Sequence, residues 1–170
     1  MSIGRNQELA EVVQRVVAAG IVDMSTAGIT GAWISLKNYP LAEIVLITAA
    51  GTAGDDPTIT VQQATNVSGS GAKALTFERI YTKSGAAIEA VGQYTLVTQS
   101  AANTYTDATA AEVETEWRIP IRASDLDVAN GFDCIRATVA DVGTNAQLGV
   151  LFYDLAGRYG GHALPSAIAN

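Results

Sequence analysis

The chain has 170 residues, a formal net charge of −7, one cysteine, one histidine and only 16% charged side chains. One domain of this length buries enough surface to need no disulfide or metal staple, and a lone cysteine, Cys134, excludes an intrachain bridge. The acidic balance, with no basic cluster, argues against a nucleic-acid binder, which uses Lys and Arg to displace counterions, and equally against an anionic membrane surface.

The N-terminal stretch mixes Glu8, Glu11 and Arg15 with valines and lacks the apolar region of a signal peptide. No apolar run reaches the ~18 residues of a spanning helix, so a soluble chain from a reducing compartment is expected. In "NQELAEVVQRVVAAG", Leu9, Val12, Val13, Val16 and Val17 recur at helical spacing, which predicts an amphipathic helix over residues 5–20. Asn6 caps its start, Glu8 sits in the positive first turn, and Gly20 stands where a helix stops. The valines lower helix propensity, so this helix needs a surface to pack on, in its own domain or in a partner subunit.

From Trp33 onward the pattern has period two. "LAEIVLIT" (Leu41–Thr48), β-branched and apolar on both faces, reads as a central strand. The loop "AAGTAGDDP" after it pairs Gly51 and Gly54 with Asp55 and Asp56. The carboxylates repel phosphate and no helix follows, so a phosphate loop is disfavoured. Two adjacent Asp side chains diverge, so a cation needs further oxygen ligands. A solvated hairpin loop is the expectation. "PTITVQQA" alternates Ile59 and Val61 with Thr58, Thr60 and Gln62. "GSGAKA" (Gly69–Ala74) matches a dinucleotide fingerprint variant, but the strand-like "LTFERIY" follows it where a helix is required, so it reads as a turn.

A further strand is expected near Gln93–Thr98. "VETEWRIPIRA" then sets Val113, Thr115, Trp117, Ile119 and Ile121 on one face. Glu112, Glu114, Glu116 and Arg118 take the other. These carboxylates stand in a row, not across a cleft as glycoside hydrolysis requires. Arg118 and Arg122 share their parity and partly balance them. Pro120 lacks an N–H, which predicts an edge strand or a bulge. "DLDVANGFD" (Asp125–Asp133) fails the EF-hand count at Ala129, Asn130 and Arg136, and Asn130-Gly131 reads as a tight turn. "FDCIRATVA" and "AQLGVLFYDL", joined by "DVGTN" (Asp141–Asn145), read as a hairpin. His162 and Cys134 suit no nucleophilic or zinc arrangement, and Cys134 reads as a buried thiol. The tail "GGHALPSAIAN" reads as an extended arm.

About eight short strands without intervening helices indicate a mainly β protein: an antiparallel β-sandwich, jelly-roll-like, with one N-terminal helix and a C-terminal tail. The expected organisation is one domain, 1–170, with the helix at 5–20, the sandwich at 31–155 and the arm at 156–170. No catalytic, cofactor-binding or metal-binding residue is expected, and no cofactor.

The stretch from "TGAWISLKNYPLAEIVLITAAGTAGDDPTITVQQ" through "ALTF", with "GFDCIRATVADVGTNAQLGVLFYDL", resembles the capsid decoration, or cement, proteins of tailed bacteriophages. The likeness covers about Gly31 to Asp154 and rests on the "GTAGDDPT" and "VADVGTNAQLG" turns. It implies a sandwich that assembles, often as a trimer, on the outside of the virion shell and bridges major capsid protein subunits. It also implies manufacture in the host bacterial cytoplasm. The candidate contact residues are the helix stripe Leu9, Val12, Val13, Val16 and Val17, with His162, Leu164 and Pro165 of the tail. Two other readings stay open. One is a carbohydrate- or receptor-binding fibre module with Tyr81, Tyr94 or Tyr105 on an exposed platform. The other is a tail or head–tail joining protein.

Overall fold

In the computed structural model, which describes residues 8–143, 145–157 and 164–169, the chain forms twelve strands. In chain order they are β1 (Val13–Asp23), β2 (Ile29–Thr30), β3 (Ile34–Ser35), β4 (Leu41–Thr48), β5 (Thr58–Ala64) and β6 (Lys73–Ala74). These are followed by β7 (Phe77–Gly85), β8 (Thr95–Ala102), β9 (Thr104–Thr106), β10 (Glu114–Arg122), β11 (Cys134–Val139) and β12 (Leu148–Ala156). They build two antiparallel sheets. The first has the order β1-β12-β4-β10-β7-β8. The second has the order β2-β11-β5-β6, with β3 also on β11 and β9 also on β5. No helix among the described residues is long and apolar enough to cross a membrane.

Among the described residues, from 8 onward, the expected N-terminal helix is absent. Only a 3-10 turn, Leu9–Glu11, precedes β1. The cause lies in the same residues that suggested a helix. Four of the six positions from Val12 to Val17 are valine, and β-branched side chains fit a pleated surface better than a helix. Val12 and Ala18 turn inward and Val17 outward, a period of two. β1 then pairs with β12, Val13 opposite Ala156 and Asp23 opposite Leu148, with register shifts around Ala19.

β4 is central, as its two apolar faces require, with β12 on one side and β10 on the other. Its inner face gives a continuous row, Leu151–Leu46–Trp117, and beside it Tyr153–Ile44–Ile119. All six side chains are wholly buried. They pack on Ile59, Val61, Ile135, Ala137 and Val139 of the second sheet to make one core. Tyr153 crosses the gap between the layers, and its hydroxyl accepts the Ala137 N–H at 2.9 Å. Burial raises the pKa of this tyrosine.

Two sequence expectations about connections are corrected. β11 and β12 do not form a hairpin, because β11 belongs to the second sheet and β12 to the first. The "DVGTN" segment therefore crosses between layers. The "GTAGDDPT" loop does the same between β4 and β5. Alternation shows which face of a strand is buried, not which sheet the strand joins. β10 is likewise neither an edge nor bulged. It lies between β4 and β7, and its pairing with β7 stops at Arg118, two residues before Pro120. The missing N–H thus falls beyond the β7 ladder, on a stretch of β10 that pairs only with β4.

Over residues 164–169 the tail is docked on the body of the protein. Ala167 is buried, and its carbonyl accepts the Ser35 N–H at 2.7 Å. The Tyr39 hydroxyl donates to the Pro165 carbonyl and lies against the Gln14 side chain.

Candidate interaction surface

The outward face of the first sheet carries a connected set of charged and aromatic side chains. Its logic is cross-strand pairing. On β1, Arg15 grips Asp154 of β12 with two parallel bonds, Nε to Oδ1 and Nη2 to Oδ2, both 2.7 Å. The same guanidinium lies 5.0 Å from the centre of the Phe152 ring. On β10, Arg118 donates to Glu116 at 2.7 Å and to Glu43 of β4 at 2.8 Å. Its Nη1 also stands 3.6 Å from Asp154. Burial alone lowers the pKa of this guanidinium, but its bonds to Glu43 and Glu116 more than reverse that and raise it. Tyr94, just before β8, donates to Glu116 at 2.7 Å and carries Lys83 over its ring at 4.4 Å.

The network covers apolar surface beneath it. Val45 points outward on β4, yet is only 1% exposed. Its neighbours in register are Phe152 and Arg118, whose long side chains roof it. Arg118→Met keeps the stem and deletes the fork, and is expected to cost about 1 kcal/mol in urea unfolding, the upper range for partly exposed pairs. Arg118→Ala is expected to cost roughly twice that, because Val45 is also uncovered.

The predicted contact residues are scattered. Leu9 and Val17 are exposed, at 64% and 60%. Val12 is buried and Val16 packs against the core, while Val13 is half-buried. Leu164 is half-buried and Pro165 exposed. His162 lies outside the described residues. The helix stripe therefore divides between the two faces of a strand. Ile21, 76% exposed, joins Val17 as outward apolar surface of β1 and has no helical signal. β1 is an edge strand, though Ala32 donates its N–H to the Ala18 carbonyl at 3.0 Å and covers the middle of that edge.

The tyrosines of the platform reading do not form one. Tyr105 is buried, edge-on to Trp117. Tyr94 has Lys83 and Arg118 over its ring, and Tyr81 has Arg79 at 5.8 Å.

The row of glutamates is also broken up. Glu116 bonds Arg118, Glu114 accepts the Ile88 N–H at 2.9 Å, and Glu112 lies before the strand.

The loop candidates resolve into structural roles. Asp56 accepts the Ala111 N–H at 3.1 Å. A Cβ at Gly143 would fall 1.7 Å from Asp55 Oδ2, so the two layer-crossing turns meet there. Asn145 Nδ2 donates to Thr52 Oγ1 at 2.9 Å and ties them again. In "DLDVANGFD", Asp127 takes the Lys73 ammonium and the Asn130 amide. Lys73 first, then Asn130, holds its pKa below the ordinary carboxylate value. Gly131 sits at φ 80°, as the tight turn requires. In "GSGAKA", Gly69 and Gly71 have positive φ in the turn before β6. Cys134 is buried, its thiol pushed up to about 12 by burial and by Asp133. Among the described residues no group of three or more His, Cys, Asp or Glu side chains is placed to hold a metal ion.

No family model matches the chain, and no curated protein matches it. Among solved structures, the crystal structure of the SPBc2 prophage-derived protein YomS aligns over 85% of this chain and 93% of that one, with 8% identity and a TM-score of 0.47. A structure of the infectious bursal disease virus Gt strain aligns over 89% of this chain and 46% of that one, with 12% identity and a TM-score of 0.26. Both scores are too low for either likeness to carry an argument about this chain.

Proposed function

We propose that this protein is a structural virion component that decorates a tailed-phage capsid from outside, oligomerises, and bridges major capsid protein subunits. With this reading go the jelly-roll-like unit and the trimer that the sequence resemblance implies. It is a binding role without catalysis. The observation that carries it is the outer face of the first sheet. Six strands wide, it presents fixed, paired charges together with the exposed apolar residues Val17 and Ile21 at its β1 margin. A face that is prearranged in this way loses little entropy on docking, and repetition by symmetry multiplies weak contacts. The net charge of −7 suits the outside of a DNA-filled shell.

The test is mass measurement in solution with and without empty shells. A symmetric oligomer that co-sediments with shells, and not with free DNA, is the expected result. A strict monomer with no affinity for shells would overturn the proposal. Val17→Asp with Ile21→Asp, both at exposed positions, is expected to weaken shell binding by about tenfold or more while leaving the melting transition unchanged.

A further inference from the structure

Charge is unevenly spread over this acidic chain. Five of the ten Lys and Arg side chains, Arg15, Arg79, Lys83, Arg118 and Arg122, stand by register and parity on the outward face of the first sheet. So do five of the seventeen carboxylates, Asp23, Glu43, Glu114, Glu116 and Asp154. The face is therefore neutral, and the whole −7 lies elsewhere. Two copies can meet across it without the repulsion that their net charge otherwise imposes.

The β1 side of this face is apolar. Val17 lies opposite Phe152, and Val150 opposite Ile47. Between Ala19 and Val22 the register with β12 shifts, so Gly20 and Ile21 both oppose the single Val150, a bulge that turns Ile21 outward. Leu148, two residues before Val150 on the same face, is 49% exposed. None of these six apolar side chains belongs to the core. An exposed apolar patch with a polar rim marks a contact surface.

The outward residues of β1 run Arg15, Val17, Ile21, Asp23, a cation and an anion at equal distance from Ala19 with an apolar residue inside each. Such an order is complementary to its own reverse. We propose that this margin binds a second copy of the chain, face to face about a two-fold axis near Ala19. Val17 of each copy then covers Ile21 of the other, and Arg15 meets Asp23 on both sides, an isologous contact. Both charged groups have capacity for it. The Nη1 group of Arg15 and the Oδ2 atom of Asp23 make no hydrogen bond among the described residues. The inference takes the margin that the virion reading gave to docking. The loss of shell binding expected of Val17→Asp with Ile21→Asp then follows from lost avidity. The pair itself needs no shell.

The test is sedimentation equilibrium of the full chain, without shells, between about 1 μM and about 1 mM. The wild type is expected to form dimers in that range. Val17→Lys and Ile21→Glu, each at an exposed position, are each expected to weaken pairing by about tenfold or more, because an unpaired charge is buried at both symmetric positions. The double variant Val17→Lys, Ile21→Glu sets Lys against Glu across the axis and is expected to recover most of that loss. Melting curves of the three variants monitor the fold. A wild type that stays monomeric, or associates only in threes, overturns the proposal. So does pairing that the single variants leave unchanged with melting intact, or a double variant that pairs no better than either single one. A dimer that does not co-sediment with shells upholds this contact and removes the virion reading, and a monomer that co-sediments does the reverse.

Discussion

Trp117→Ala is expected to lower the free energy of unfolding by about 3–5 kcal/mol, the cost of emptying a large aromatic site in a packed core. At ~2–4 °C per kcal/mol for a chain of this size, the melting temperature falls by roughly 6–20 °C. The side chain is fully buried in the middle of the first sheet, between Leu46 and Thr82, and meets Tyr105 of the other layer at a ring distance of 4.9 Å. Trp117→Phe is expected to cost less than half as much. The indole N–H is buried and has no hydrogen-bond partner among the described residues. An unsatisfied donor costs ~1–3 kcal/mol, so its deletion offsets part of the lost volume. Urea unfolding followed by far-ultraviolet circular dichroism separates the two variants. Equal destabilisation by Phe and Ala would refute the argument from the orphan donor.

Gly31→Ala is the second large effect, expected at roughly 3 kcal/mol although it adds one methyl group. A Cβ there would lie 2.5 Å from the Tyr153 hydroxyl and 2.7 Å from the Ala137 carbonyl oxygen. These groups hold the layers together. Gly31 donates its N–H to that carbonyl at 3.0 Å, and the Tyr153 hydroxyl accepts the Ala137 N–H. The methyl group must either part the layers, at ~1–3 kcal/mol for overpacking, or leave the Ala137 N–H buried and unpaired, at a similar cost. Gly20→Ala is the control. Nothing lies within 4 Å of a Cβ there, so a neutral or slightly stabilising result is expected from the stiffer unfolded chain. A Gly31→Ala variant as stable as Gly20→Ala would show that the contact between layers yields without cost.

The long strands from Leu41 onward were legible, β4 by its two apolar faces and β5, β7, β10, β11 and β12 by their own alternation, and the burial of Ile59, Trp117, Ile119 and Ile121 follows that parity, whereas the short β6 and β9 were not. The first strand was not. Val12, Val13, Val16 and Val17 satisfy helical spacing as well as strand parity, and the presence of a free edge on β12 decides between them. That edge is built from residues more than a hundred positions away, which no local window contains. The same limit hid the layer crossings. A glycine-containing turn between two alternating segments looks alike whether the strands pair or face each other across the core. The outer network was half visible. Glu116 and Arg118 share a parity, but Glu43, Asp154 and Arg15 enter only through the strand order. The end of the β7–β10 ladder just before Pro120 showed in the sequence only as a missing donor.

β12 lies between β1 and β4, and this bears on how the protein is made. A ribosome releases β1 well before β12, so β1 waits for more than a hundred residues before it has its partner. At ~5–20 residues per second, the interval is several seconds to half a minute. During it Val16 and Ala18 stay uncovered, and β4 has an unfilled flank. Completion of the first sheet therefore waits until β12 has emerged. A chain arrested before Leu148 retains two strand edges without a partner, which makes it a substrate for chaperones and proteases and not a smaller version of the finished fold.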